Sequence, residues 1–224
     1  MARPKSFDVD QAVDAAMDAF WSKGYAATSA QDLVDSTGLG RGSLYNAFAS
    51  KHGLFEAVLR RYDEELTSHR VAVLDGTAAE VRGVSAAERV RAVLMAVVEE
   101  ETGGGAGPRR GCLAVNAAVE LGGTDPEVTR LVGRVFSRME DAFHAAVVRG
   151  QAAGEFDAGQ DARDLARLLL NTMYGLRVLG RTAGRDALAG IVEGTLRAVS
   201  ARPDGAPQSP ASATPEPAPQ GPPH

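Results

Sequence analysis

The chain has 224 residues, 44% of them apolar, a formal net charge of -5 and one cysteine. That length holds one large domain or a small domain joined to a larger one, with ample apolar content for a core. The longest apolar runs, such as Leu168 to Leu170, span only a few residues, and Asp8 and Asp10 stand where a secretory signal would be apolar. Neither export nor a membrane span is expected, and a single thiol excludes an intramolecular disulfide and fits a reducing cytoplasm.

In chain order, Val9, Val13, Ala16, Met17 and Phe20 recur at helical spacing, with Asp8 placed as N-cap and Gly24 as stop. Thr28 or Ser29 caps a second, short helix through Leu33 and Val34 to Gly38. After Gly38-Leu39-Gly40 a third short helix sets Leu44 and Phe48 on one face and leaves Arg41, Ser43, Tyr45 and Asn46 off it. Ser50 caps a long fourth helix through Leu54, Phe55, Val58, Leu59 and Tyr62 that ends before Gly76.

Helices alone are expected beyond Gly83. Ser85 caps Ala86 to Glu101, a flexible loop covers Thr102 to Gly107, and a helix follows within Gly111 to Leu121. Asp125-Pro126 opens a long helix through Val128, Leu131, Val135, Met139 and Phe143 that stops near Gly154. Two apolar stripes close the pattern: Leu165, Leu168, Leu169, Thr172, Met173, Leu176 and Leu179, then Leu188, Ile191, Val192, Thr195, Leu196 and Val199. Both are expected to be buried along a wide face. Eight of the eleven prolines lie between Pro203 and Pro223, so residues 201–224 are expected to be a disordered tail.

The segment from Thr28 to Phe55 combines a glycine turn, Ser43-Leu44-Tyr45, Phe48, the Ser50-Lys51 pair and Leu54-Phe55. At that spacing it resembles the DNA-binding signature of the TetR family of transcriptional regulators. The resemblance implies an all-α fold: a three-helix helix-turn-helix domain over residues 1–50, then a larger effector-binding and dimerisation domain over 51–200. It also implies that Thr28 meets a phosphate, that Arg41 and Ser43 reach bases or phosphates, that Tyr45 and Asn46 contact backbone or bases, and that Lys51 holds a phosphate. Gly42 lets the backbone come close. The chemistry is compatible, because arginine suits guanine O6 and N7 while hydroxyls, amides and helix N-termini suit phosphate oxygens. Asn46 stands where the family often has histidine, and Gly40 where a serine cap is common.

Acid is concentrated on the first helix at Asp8, Asp10, Asp14 and Asp18, while Arg41 and Lys51 bracket the third and Arg60 and Arg61 follow it. A net acidic chain is therefore expected to bind double-stranded DNA through a small focused face, with affinity supplied by two heads in a homodimer joined through residues 161–200. The family resemblance makes it a repressor of a near-palindromic operator, an activator being the alternative, released by a small-molecule effector of unknown identity or by modification of Cys112.

Arg109 and Arg110 precede Cys112, and a place in the first turn of a helix favours thiolate. The alternative is a small buried apolar residue beside Leu113 and Val115. Met139, Phe143, Met173 and Tyr174 are candidate effector contacts, with plain core the reading favoured for each one alone; Met95 and Phe136 belong with them. His52, His69, His144 and His224 are scattered without metal-ligand spacing, and the Gly103 to Gly107 run lacks the strand that a dinucleotide fingerprint needs. No catalytic site, metal or cofactor is expected.

Overall fold

A computed structural model describes residues 8–103 and 110–201. Most of the glycine-rich loop and almost all of the proline-rich tail lie outside these residues. The described chain forms ten α-helices: α1 Val9–Lys23, α2 Ala30–Thr37, α3 Arg41–Phe48, α4 Lys51–Tyr62, α5 Ser68–Asp75, α6 Ala86–Thr102, α7 Leu113–Leu121, α8 Pro126–Ala152, α9 Ala162–Leu179 and α10 Arg185–Val199. No strand occurs among the described residues beyond one isolated bridge, Phe156 with Ser200. None of their helices is long and apolar enough to cross a membrane.

Helix starts follow the side chains that satisfy otherwise unpaired amides. Asp8 accepts from the Asp10 and Gln11 N–H groups, Ser29 exchanges bonds with Asp32 and Ser85 with Glu88 as reciprocal caps, and Asp125 accepts from Val128 N–H behind Pro126. The long fourth helix is not one regular helix. A π-helical turn, Asp63–Thr67, joins α4 to α5, and Gly76 in the left-handed conformation ends the run.

Apolar side chains collect in two cores. The first gathers Phe20, Leu33, Leu44, Leu54, Phe55 and Leu59 from α1 to α4 together with Leu113, Ala117, Val128, Leu131 and Val135 from α7 and the first half of α8. The second gathers Val90, Leu94 and Val97 of α6 with Phe143, Leu169, Leu188 and Val192. Helix α8 spans both, so the unit that carries α3 shares its core with α7 and α8 across residue 50.

The two final stripes divide rather than bury whole. Leu165, Leu169, Met173, Leu176, Leu188, Val192 and Val199 face the chain's own core, but Leu168 and Leu179 stay 43% and 45% exposed and Ile191 37%. The apolar arc is wider than one chain covers, so its flank stands in solvent. Leu168, Thr172, Gly175 and Leu179 run along that side of α9, and Thr172 meets Thr195 of α10 with 3.3 Å between hydroxyl oxygens.

Candidate nucleic-acid interface and junction cavity

Helix α3 is held from behind and open in front. Leu44 is fully buried and Phe48 half-buried against the first core, as their i, i+4 spacing requires. Arg41, Gly42, Ser43 and Asn46 are exposed and Tyr45 is half-buried. Among the described residues, no hydrogen bond or ion pair engages the side chains of Arg41, Ser43 or Asn46. The N-cap is Gly40, which offers no side-chain acceptor, so the first amides of α3 remain available to an anion.

The turn after α3 is tight. Ala49 takes φ 63° and ψ -39°, and Ser50 N–H donates to Phe48 O at 2.7 Å, which closes a strained three-residue turn. The Phe48 carbonyl then presses on Gly53, where a Cβ would sit 2.2 Å from that oxygen. Gly53 is thus required by close approach, a role invisible in its own neighbourhood of sequence.

Lys51 begins α4 with Nζ 4.5 Å from the centre of the Tyr25 ring and 3.5 Å from Ala26 O. Its ammonium is held just ahead of α2. Thr28 does not fit the phosphate role expected of it. Its side chain is fully buried and its hydroxyl donates to Gly24 O at 2.6 Å, while Ser29 takes the cap.

This head is tied to the rest of the chain by polar contacts absent from the sequence reading. His52 lies between Glu56, 2.9 Å from Nδ1, and Asp125, 2.5 Å from Nε2. The Val128 N–H above all, with His52 adding to it, holds the Asp125 carboxyl below the usual carboxylate range. Ala26 N–H donates to Glu120 at 3.1 Å, and Trp21 Nε1–H donates to Gly111 O at 3.1 Å.

Where the two cores meet, Cys112, Met139, Met173 and Tyr174 line one cavity with Tyr62, Thr67, Arg70 and Arg177. Its free space is about 10 Å³, room for no more than a single water. Phe143, expected among these residues, is instead fully buried in the second core, one turn beyond Met139 on α8. Phe136 packs its ring on Tyr174 at 4.8 Å, and Met95 lies against the second core.

Cys112 is the N-cap of α7, not a first-turn residue, and is 4% exposed. Its Sγ lies 3.2 Å from the Tyr62 hydroxyl. Arg110 is turned away to Asp18 at 2.5 Å, so it is not the cation beside the thiol, and Arg109 lies outside the described residues. Arg70 and Arg177 line its cavity instead. Burial works against the Arg177 charge, yet Glu100, Tyr62, Glu101 and Cys112 hold its guanidinium above the ordinary arginine range. Burial first, and Cys112 second, push the Tyr62 and Tyr174 phenols up. Among the described residues the Tyr174 hydroxyl has no hydrogen-bond partner.

The sequence pattern for bacterial regulatory proteins of the tetR family matches residues 12–58, and that for the tetracyclin repressor-like C-terminal domain matches residues 86–197. The HTH-type transcriptional repressor ComR of Escherichia coli is 31% identical over 87% of this chain and 90% of its own length. The uncharacterized HTH-type transcriptional regulator YezE of Bacillus subtilis is 30% identical over 88% of this chain and 98% of its own. Among solved structures, a cysteine mutant of the TetR family regulator CifR, complexed with 26-base-pair operator DNA, superposes with a TM-score of 0.75 at 34% identity, over 88% of this chain and 100% of that one. With both halves matched and the all-helical architecture shared, the chain belongs to the TetR family of bacterial transcriptional regulators.

Proposed function

We propose that the protein is a dimeric repressor that binds a near-palindromic operator through one α3 helix per protomer and is released by a small effector or by modification of Cys112. The observation that carries the DNA reading is the exposed polar face of α3, where Arg41, Ser43 and Asn46 have no partner among the described residues, on a helix whose other face is locked by Leu44. Gly42 leaves room for a phosphate or base edge, since nothing lies within 4 Å of where its Cβ would be. Tyr45 and Lys51 flank that face. The operator complex of CifR supports double-stranded DNA as the partner.

The exposed strip of Leu168, Leu179 and Ile191 supports a homodimer through α9 and α10 within residues 161–200, because apolar side chains in a row at helical spacing gain from being covered. Two heads about 34 to 36 Å apart would read one face of the duplex. The kinship with transcriptional regulators supports a regulatory rather than catalytic role, acting on DNA in the cytoplasm.

Release has two routes. An effector entering the junction cavity must displace side chains, because the space present holds one water, and it would meet Met139, Met173 and the unpaired Tyr174 hydroxyl. Alternatively Cys112 adds to a quinone: the S–C bond forms as a ring C=C π bond breaks, its electron pair passes to one carbonyl oxygen that takes the thiol proton, and the hydrogen on the attacked carbon moves to the second oxygen to give the thioether-substituted hydroquinone. Binding to DNA selected from a random pool, followed by fluorescence anisotropy, tests the operator reading. Specific binding that falls with salt is expected, and sequence-independent binding overturns it. Release by quinones that persists unchanged in Cys112→Ser removes the thiol route.

A further inference from the structure

We propose that the cleft between the end of α1, α7 and α9 binds a small amphipathic monocarboxylate, with its acid on Arg181 and its apolar body on Val115, Val119 and Val178. The cleft has a volume of about 360 Å³, within the roughly 300–1,000 Å³ range of small-molecule sites, and shares Cys112 and Arg177 with the small junction cavity. One wall is Trp21 to Gly24 and the opposite walls come from α7 and α9. Val119 and Val178 are 82% and 56% exposed, so this concave surface presents apolar groups to water that an aromatic or branched body would cover.

The charge pattern selects the head group. Three cations at the cleft or beside it are already neutralised: Lys23 by Asp32 at 2.5 Å, Arg110 by Asp18 at 2.5 Å, and Arg177 by Glu100 and Glu101. Arg181 differs. Its Nη2 donates only to neutral acceptors, Asn116 Oδ1 at 3.0 Å and Arg110 O at 3.3 Å, and no carboxylate pairs with it among the described residues. Packing on Gly111 fixes the guanidinium, which lies 3.3 Å from where a Cβ on that glycine would be. At the other end of α7, Glu120 accepts from Ala26 N–H and repels an anion. One unneutralised guanidinium at one end and a carboxylate at the other give the cleft a direction, and a single negative charge satisfies it.

The occupant would touch both the head that carries α3 and the helices behind it. The proposal concerns binding and stands whether or not the chain recognises an operator, so its test uses no DNA. Trp21, the chain's only tryptophan, lines the cleft and reports occupancy by its fluorescence. The full chain is titrated with 4-phenylbutanoate and with its neutral counterpart 4-phenylbutanol. Saturable change is expected with the acid and at least about tenfold weaker binding of the alcohol, the equivalent of about 1.4 kcal/mol. Arg181→Gln should erase that preference, and Val119→Glu, at a position too exposed to unfold the protein, should weaken the acid about tenfold. No saturable response to the acid up to about 10 mM, equal affinities for acid and alcohol, or unchanged affinity in Val119→Glu overturns the proposal. So does a shift in sedimentation caused by Val119→Glu without any response to the acid, which would make the cleft a contact between chains.

Discussion

On the face of α3, Arg41, Ser43 and Asn46 stand in solvent with no partner among the described residues, whereas around Cys112 nearly every polar group is committed. Tyr62 meets the thiol, Arg70 pairs with Glu100, and Arg177 bridges Glu100 and Glu101. The contrast has a physical basis. A surface helix can leave polar groups unpaired because water solvates them until DNA replaces it, but a buried guanidinium without a partner costs several kcal/mol. An external ligand therefore engages α3 without breaking internal bonds, while at the cavity the Tyr174 hydroxyl is open and most other polar groups must first leave partners they already have.

The largest expected effect comes from breaking the committed side. Arg177→Ala leaves Glu101, itself 3% exposed, without its cation and should destabilise the fold by about 3–5 kcal/mol in chemical denaturation. Arg41→Ala should leave stability within about 0.5 kcal/mol. Equal stabilities of the two variants would erase the comparison. Next, Leu168→Glu combined with Ile191→Glu should yield folded monomers in sedimentation, because both side chains are already exposed. Operator affinity should fall at least about 100-fold, through loss of the second head. A monomer at full affinity would refute the need for two.

Arg41→Ala should cost about 1–3 kcal/mol of operator affinity in anisotropy titrations and relax specificity at one base position. Gly53→Ala is expected to lose about 1–3 kcal/mol of stability, since its Cβ meets the Phe48 carbonyl and the turn must open. The smallest effect concerns Asp125. Its folded-state pKa lies below the unfolded value, so its stabilisation is present in full above roughly pH 4 and is lost as pH falls further. Asp125→Asn should flatten that acid limb in urea midpoints measured between neutral and acid pH.

Much of the fold was legible because its signals are local. Asp8, Ser29, Ser50, Ser85 and Asp125 cap the helices they were expected to begin, through bonds to amides two or three residues away. The same locality explains why Leu44 and Phe48 could be separated from Arg41, Ser43 and Asn46 by spacing alone. Thr28 shows the limit. Two adjacent hydroxyls both looked like caps, and only the path of the chain decides that Ser29 caps while Thr28 is buried against Gly24.

What the sequence by itself determined is the helical order, the start of each major helix and which face of α3 is apolar, because these depend on neighbours within one or two turns. Only the tertiary structure decided which part of the α9 and α10 stripes meets the chain's own core and which stays uncovered. It also decided that Phe143 leaves the cavity, that Cys112 meets Tyr62 across 50 residues, and that His52 meets Asp125 across 73. Helical periodicity identifies an apolar face but not what covers it. Contacts between distant helices follow from how whole surfaces pack, which no local pattern encodes.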